Sequence, residues 1–219
     1  MAYTFMFSQV TRYLPLFFQG LWLSLVISLA GMAAGSLFGV VLALGKNARR
    51  KSFRNLSAVY IECFRNTPLL VQMYLLYFGL GQFGFHLSPL VAAILAILLN
   101  NAAYTAVIFR TGMDAVDKGQ TEAGKALGMK DGQIFRYVVF PQAFKIVVPP
   151  LTNQFISIFL FSSVASTISL PELTYQATYI ESISMRTFET FLMATGLYLL
   201  VTTVISLGSG WWERRLARY

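Results

Sequence analysis

The chain has 219 residues, of which 56% are hydrophobic and 12% charged, and its mean hydropathy is +0.61. Soluble domains carry about twice that share of charged residues, so the composition indicates a membrane protein. The 17 Lys and Arg residues outnumber the 9 Asp and Glu residues. The apolar runs leave no soluble domain whose basic face could bind nucleic acid, so a bilayer surface explains the excess better.

Five runs with little or no charge are long enough to cross a bilayer as helices. The second and third runs are separated between residues 79 and 89, where glycines, His86 and Pro89 predict a turn. The predicted spans are about 14–45, 56–80, 88–110, 146–170 and 188–212. The sequence therefore predicts an all-α membrane protein with one transmembrane domain, residues 1–219.

The basic residues predict the orientation of these spans, because Lys and Arg accumulate on the cytoplasmic side. Only Arg12 and Arg186 fall on the opposite side. The N-terminus is therefore predicted outside and the C-terminus in the cytoplasm. The predicted cytoplasmic residues are Lys46, Arg49, Arg50, Lys51, Arg54, Arg110, Lys118, Lys125, Lys130, Arg136, Lys145, Arg214, Arg215 and Arg218.

Small residues recur every four positions in the first span, at Gly31, Gly35, Gly39 and Ala43. This spacing lets two helix backbones approach closely. We expect the partner helix to lie within the same chain rather than in a second copy, because such patterns are common inside helical membrane proteins.

Ionisable residues are absent from the centres of the predicted spans. The nearest, Glu62 and Arg65, are placed near the cytoplasmic start of the second helix, and their spacing allows them to pair on one face. Proton- or voltage-driven transporters usually keep ionisable groups at membrane depth. The sequence therefore indicates that any transport draws its energy from another polypeptide.

Amides, hydroxyls and a phenol provide the polar groups within the spans. Each unpaired amide in hydrocarbon costs about 2–7 kcal/mol, so these side chains should face protein or water. Hydrogen bonding between helices can account for any one of these polar side chains. Together, the side chains can line a path for a polar solute. The predicted pathway residues are Gln72, Asn100, Asn101, Tyr104, Asn153, Gln154, Ser162 and Ser163.

A charged, glycine-containing loop at about 115–141 separates the third and fourth spans. Ala123, Ala126 and Leu127 form a short apolar helix face. Thr121 is predicted to cap this helix and Gly128 to end it in a left-handed conformation. A second short helical piece is predicted to end at Pro141. A small apolar face held away from the membrane suits docking into a groove on a partner protein.

Three segments resemble permease subunits of type I ATP-binding-cassette importers of the polar amino acid family. Glu122-Ala123-Gly124, three residues, Gly128, nine residues and Val138-Val139-Phe140-Pro141 resemble the family's loop pattern Glu-Ala-Ala-x3-Gly-x9-Ile-x-Leu-Pro, called the EAA motif. Gly124, Val138 and Phe140 depart from it mildly. "FRNTPLLVQMYLLYFGL", residues 64–80, is similar to the family's second-helix signature. The stretch from Asn100 to Met129 continues into the loop as in that family.

This resemblance implies the type I importer permease fold with a cytoplasmic coupling helix. It implies coupling to ATPase subunits through Glu122, Ala123, Gly124, Ala126, Leu127, Gly128 and Pro141. The implied partners are a second permease subunit, identical or homologous, two ATPase subunits and an extracytoplasmic binding protein that delivers an amino acid. The location is a bacterial inner membrane. No cofactor is expected in this chain, which has no phosphate-binding G-x-x-x-x-G-K-[ST] sequence, so ATP and Mg²⁺ would sit on the ATPases.

Other classes of protein remain as alternatives. A secondary amino acid transporter predicts buried ionisable residues and inverted repeats, and the sequence has neither. A membrane enzyme predicts a nucleophile with its base, or a metal cluster, and one His and one Cys far apart give little support. In a non-transporting scaffold or channel, the coupling helix would have no function. Leu160 and Phe161 stand where some family members carry a Lys and an acidic residue, so a counter-charge for a charged substrate would come from a partner subunit.

Overall fold

A computed structural model describes residues 3–46, 48 and 50–216. Every regular element in this part of the chain is helical. The predicted cytoplasmic residues Arg49 and Arg218 lie outside the described residues. The α-helices are α1 Ser8–Thr11, α2 Leu14–Lys46, α3 Lys51–Arg65, α4 Leu69–Tyr74, α5 Pro89–Asp114, α6 Lys118–Ala126, α7 Asp131–Ile134, α8 Phe140–Phe161, α9 Leu173–Ser184 and α10 Thr187–Leu216.

Four continuous helical segments of the described chain are long and apolar enough to cross a membrane. They are Leu14–Lys46, Pro89–Asp114, Asp131–Ile168 and Thr187–Arg215. They overlap the first, third, fourth and fifth predicted spans. The all-helical prediction is therefore confirmed for the described residues.

The second predicted span differs from the structure, because it is not one continuous helix. The chain breaks between α3 and α4, where Pro68 adopts an extended conformation. A proline disfavours helical geometry at the preceding residue and lacks a backbone N–H, so the helix ends before it. The helix then continues to Phe83 through a π-helical turn, Leu75–Gly79, and a 3₁₀ turn, Leu80–Phe83. The predicted turn after residue 79 is present, with Gly84 at φ +84°.

The third long segment, Asp131–Ile168, corresponds to the fourth predicted span and begins well before residue 146, the predicted start of that span. α7 runs through a π-helical turn, Phe135–Val139, into α8, and α8 continues as a 3₁₀ turn to Ile168. The prediction that a helical piece ends at Pro141 is therefore wrong. Pro141 is the second residue of α8, one residue after the π-helical turn. The proline lacks one backbone donor there, and the helix continues through the irregular turn instead of ending.

α2 and α5 pack along the stripe of small residues. An added Cβ at Gly35 would lie 2.7 Å from the Leu98 carbonyl oxygen, and one at Gly39 would lie 2.8 Å from that of Ala102. The partner helix lies in the same chain, which confirms the prediction of packing within the subunit. Asn101 stabilises the contact by donating to the Met32 carbonyl at 3.2 Å.

A buried carboxylate joins three helices on the side of the bundle where α9 packs. Glu172 is fully buried and caps α9, accepting hydrogen bonds from the backbone N–H groups of Thr174 (3.0 Å) and Tyr175 (2.8 Å). It also accepts from the hydroxyls of Ser24 on α2 at 3.2 Å and Tyr198 on α10 at 3.0 Å. Burial raises the pKa of Glu172, while these four donors act to lower it. No local sequence pattern indicates this network, because its members come from distant segments.

We expect the substitution Glu172→Ala to lower the free energy of unfolding by about 3 kcal/mol, since it removes a helix cap and leaves buried donors without acceptors. The readout is the SDS concentration at which the detergent-solubilised protein unfolds. Glu122→Ala is the matched control, because Glu122 is exposed and its side chain makes no hydrogen bond within the described chain. Equal midpoints for the two variants would contradict the stabilising role.

Candidate functional site: a cytoplasmic loop helix and a polar cavity

The loop helix α6 begins earlier than the sequence predicted. Asp117, not Thr121, caps it, with Oδ1 accepting from the Gly119 N–H at 2.6 Å. Thr121 lies inside the helix. The short apolar face of Ala123, Ala126 and Leu127 is exposed, and it does not mark where the helix starts. At the other end Gly128 has φ +77°, as predicted for a left-handed helix end.

One face of α6 packs against the start of α7. Gly124 is buried, and an added Cβ there would lie 2.9 Å from Cγ1 of Ile134, which is itself buried. This close contact gives a physical reason for glycine in place of the family's second alanine. α6 is thereby attached to α7, which forms the start of the third long segment, Asp131–Ile168. Packed contacts therefore join α6 to that segment in addition to the chain itself.

The opposite face of α6 is open. Glu122 and Ala126 lie about 160° around the helix from Gly124, at 100° per residue, and both are exposed. Ala123 is exposed, and Leu127, at the end of the helix, has 81% of its surface exposed. Pro141 is also exposed. Buried Gly124 and the turn residue Gly128 therefore shape the loop, while Glu122, Ala123, Ala126 and Leu127 present a surface.

A second candidate site is a polar cavity of 580 Å³ beside the break between α3 and α4. α5 and α8 form its other walls. Three of the predicted pathway residues, Asn100, Tyr104 and Gln154, line it. The sequence therefore predicted polar side chains that the fold brings together from two helices far apart in the chain.

Gln72 and Asn100 stabilise the break between α3 and α4 by hydrogen bonds to its backbone carbonyls. Gln72 Nε2 donates to the Phe64 and Thr67 carbonyls at 3.0 and 3.1 Å, and Asn100 Nδ2 donates to the same Phe64 carbonyl at 3.1 Å. Asn100 also donates to Gln72 Oε1 at 3.2 Å. Carbonyls left unpaired at a helix end need such partners. Gln72, which is buried, is part of the cavity's scaffold and not of its lining.

The other predicted pathway residues lie elsewhere. Asn101 is buried against α2, and Asn153 is exposed outside the cavity lining. Ser162 is buried and donates to the Phe159 carbonyl of its own helical segment at 2.7 Å. Ser163 lines a separate cavity of 340 Å³ with Thr174 and Tyr198. Membrane depth and polarity, the only criteria available from sequence, do not distinguish these environments.

Arg65 lines the cavity but is not among the predicted pathway residues. Its spacing from Glu62 allows an ion pair, but the Glu62 carboxylate accepts from Asn66 Nδ2 at 3.1 Å. The Arg65 guanidinium carbon lies 5.5 Å from the centroid of the Tyr104 ring. The sequence "FRNTP" indicates the position of Arg65. Pro68 follows it closely, and a helix usually ends before a proline, so the charge lies at a helix end.

No group of three or more His, Cys, Asp or Glu side chains in the described ranges is positioned to hold a metal ion. The side chains of both sites offer hydrogen bonding, charge and apolar contact.

Comparison with known proteins places these features in a family. Residues 35–218 match the family described as binding-protein-dependent transport system inner membrane component. The chain belongs to this family of transport-system permeases.

Its relatives in the family are amino acid permeases. The chain is 33% identical over 203 residues to the probable glutamine ABC transporter permease protein GlnM of Bacillus subtilis (strain 168), covering 93% of this chain and 94% of that protein. It is 32% identical over 214 residues to the glutamine transport system permease protein GlnP of Escherichia coli (strain K12), covering 97% and 98%. It is 37% identical over 197 residues to the octopine transport system permease protein OccM of Rhizobium radiobacter, covering 86% and 80%.

Solved structures share the fold. A chain of an amino acid ABC transporter crystallised with histidines superposes with a TM-score of 0.93 at 38% identity, covering 97% of this chain and all of that one. A chain of an inward-facing MetNI methionine ABC transporter superposes with a TM-score of 0.78 at 19% identity, which supports the fold alone. The type I ABC permease fold predicted from the sequence is confirmed.

Proposed function

We propose that this chain is the membrane-spanning permease subunit of an ATP-driven importer that moves a polar amino acid across the bacterial inner membrane. The observation that carries the proposal is α6. It matches the EAA motif, presents Glu122, Ala126 and Leu127 outward, and is packed onto the start of a long membrane segment. A helix with this exposed apolar face suits a groove on a cytoplasmic partner.

The proposed topology has five crossings. The four long apolar segments supply four of them. The fifth is the broken segment formed by α3 and Leu69–Phe83, whose interruption is stabilised by Gln72 and Asn100. Basic residues at the predicted inner ends support an outer N-terminus and a cytoplasmic C-terminus.

In the proposed mechanism, α6 transmits the movement of two ATPase subunits. Closure of the ATPases on ATP moves α6, and the buried contact between Gly124 and Ile134 carries that movement into α7 and the segment behind it. The membrane helices then change between inward-open and outward-open packings, as in other two-state rearrangements. ATP and Mg²⁺ are bound by the ATPases, and this chain performs no hydrolysis.

The proposed pathway passes the cavity at the break. Asn100, Tyr104 and Gln154 offer polar groups to a solute there, and a second permease subunit, identical or homologous, closes the cavity's open side. An extracytoplasmic binding protein delivers the amino acid. The exposed apolar surfaces of α8 and α10 then contact lipid or the second permease.

Gentle detergent purification of the tagged chain from its native host, with mass identification of the co-purified proteins, tests this proposal. We expect an ATPase subunit, and a second permease if the pair is heteromeric. Proteoliposomes of that complex should take up an amino acid only when ATP and the binding protein are both supplied. A folded chain that purifies alone, or uptake that follows an ion gradient without ATP, would replace the proposal with a scaffold or a secondary transporter.

A further inference from the structure

An apolar cavity of 240 Å³ lies between the ends of α2 and α5 and the start of α8. Val40, Ala43 and Leu44 line it from α2, and Phe109 and Met113 line it from α5. All of its lining residues are apolar, and none of them lines the polar cavity. A polar solute would lose its hydrogen bonds to water there and gain none in return. A ligand for this apolar cavity is therefore hydrocarbon.

Three phenylalanines, Phe135, Phe140 and Phe144, form one wall of the apolar cavity. Residues five apart in an α-helix point about 140° apart. In the π-helical turn, however, the Phe140 N–H donates to the Phe135 carbonyl, five residues earlier. This turn places the Phe135 and Phe140 ring centroids 6.0 Å apart, and Phe140 lies 6.0 Å from Phe144. The irregular turn thus builds the aromatic wall, and such turns are frequent at functional sites.

The chain covers this aromatic wall only in part. Phe135, Phe140 and Phe144 expose 45%, 48% and 36% of their surface, and Leu44, across the cavity on α2, exposes 56%. A cavity with an apolar lining stays free of water and accepts apolar ligands. Its open edge is therefore available to a hydrocarbon ligand from outside the chain.

The cavity lies near the helix ends that the proposed topology places at the cytoplasmic side. Val40 is six residues before the end of α2, and Phe109 is five residues before the end of α5. These separations are about 9 Å and 8 Å at 1.5 Å per residue. Such a depth corresponds to the boundary between lipid headgroups and acyl chains.

Basic residues surround this end of the cavity. Lys46 is the last residue of α2, and Arg136 lies in the π-helical turn, four residues before Phe140. Neither forms an ion pair within the described residues, whereas Arg110 pairs with Asp114 at 3.4 Å. Long basic side chains extend along apolar surface and keep their charge at the polar boundary. The apolar cavity is therefore flanked by two cations without a partner carboxylate in this part of the chain.

We propose that the apolar cavity binds one acyl chain of an anionic phospholipid of the cytoplasmic leaflet, whose phosphate is held by Lys46 and Arg136. The hydrophobic effect favours the acyl chain in the cavity, and basic residues at this surface attract anionic headgroups. The choice of leaflet rests on the proposed topology, but the binding itself goes beyond the proposed transport function. Because α6 packs on α7 and Phe135 follows α7 directly, the bound lipid stabilises the segment to which α6 is attached.

Photo-labelling with a lipid tests this inference. The full-length chain, with the subunits that co-purify with it, is placed in phosphatidylcholine nanodiscs that contain phosphatidylglycerol with a diazirine on one acyl chain. After illumination, the labelled residues are identified by peptide mass spectrometry. We expect adducts on Met113 or Phe144, and we expect unlabelled phosphatidylglycerol to reduce them at least about threefold more than the same amount of zwitterionic phosphatidylethanolamine.

A cavity-filling variant tests the position of the acyl chain. Leu44→Trp places a larger side chain at the open edge of the cavity and should lower the labelling of Met113 at least about fivefold. Leu37→Trp is the matched control, because Leu37 is 74% exposed on the same helix and does not line the cavity. It should leave the labelling of Met113 unchanged.

A charge variant tests the headgroup contact. The double substitution Lys46→Gln and Arg136→Gln should abolish the preference for phosphatidylglycerol over phosphatidylethanolamine. Lys145→Gln is its control, because Lys145 is exposed and lies about 140° around α8 from Phe140. If Leu44→Trp does not elute as a monodisperse protein, the lipid competition and this double variant decide the outcome.

Adducts only on exposed residues outside the lining, such as Leu37, would indicate surrounding bilayer lipid alone and would overturn the inference. Equal competition by the two lipids, or labelling that a folded Leu44→Trp leaves unchanged, would also overturn it. Labelling of the lining in the isolated chain but not in the complex would assign the cavity to a protein partner instead. In each of these cases a co-purified ATPase and ATP-dependent uptake leave the proposed function standing, so the two failures are distinguishable.

Discussion

Replacing Glu122 by lysine will reduce ATP-driven uptake by the reconstituted transporter at least about tenfold while the membrane domain still folds. Glu122 is exposed on the face of α6 opposite buried Gly124. Reversing a charge within a docking interface costs about 2 kcal/mol or more, which corresponds to about thirtyfold in affinity. The measurement is uptake of labelled amino acid into proteoliposomes, together with the amount of ATPase that co-purifies with the chain.

Lys118→Glu is the matched control for this reversal. It changes a charge by the same amount in the first turn of α6, outside the matched motif residues, and we expect uptake to fall less than threefold. Monodisperse elution of both variants establishes that the fold is intact. Full uptake by Glu122→Lys would remove α6 from the coupling pathway.

Replacing Gly35 by leucine will destabilise the membrane domain by at least about 3 kcal/mol, because it forces apart the α2–α5 contact, the most extensive helix contact among the described residues. Even a Cβ at this position would lie 2.7 Å from a backbone oxygen of α5 and 2.8 Å from Nδ2 of Asn101. Overpacking of a well-filled interior costs about 1–3 kcal/mol, and a backbone atom cannot rotate away as a side chain can. The measurement is the SDS midpoint of unfolding.

Gly196→Leu provides the control, since Gly196 also lies in a long helix but an added Cβ there meets no atom within 4 Å. We expect its unfolding midpoint to change by much less than that of Gly35→Leu. If both substitutions lowered stability equally, the cost would come from the chemistry of leucine in these helices and not from the α2–α5 contact.

The sequence predicted those parts of the fold that depend on local physical chemistry. Long apolar runs, the glycine turn at Gly84 and the left-handed end at Gly128 each follow from a few neighbouring residues, and the structure has them. The glycine stripe also indicated close packing. The start of α6 was missed because two capping residues, Asp117 and Thr121, stand within one turn of each other, and the exposed apolar face cannot decide between them.

The candidate cavity could be predicted only in part. Polarity indicated Asn100, Tyr104 and Gln154, but it equally indicated Asn101, which faces α2. The two adjacent asparagines point about 100° apart around α5. Packing against the other helices decides which of them faces the cavity. The spacing of Arg65 from Glu62 allows an ion pair, which is not the contact that the structure shows. The break at Pro68 instead turns it toward the cavity.

Photo-crosslinking tests the proposed contact between α6 and an ATPase subunit. A benzoyl-phenylalanine is introduced in place of Leu127, and another in place of Phe83 at the far end of the α4 segment as a control; the two side chains are 81% and 80% exposed. On illumination of native membranes, we expect a covalent adduct with an ATPase subunit from position 127 and none from position 83. Crosslinking from position 127 to lipid or to another permease copy, with no ATPase adduct, would contradict the account.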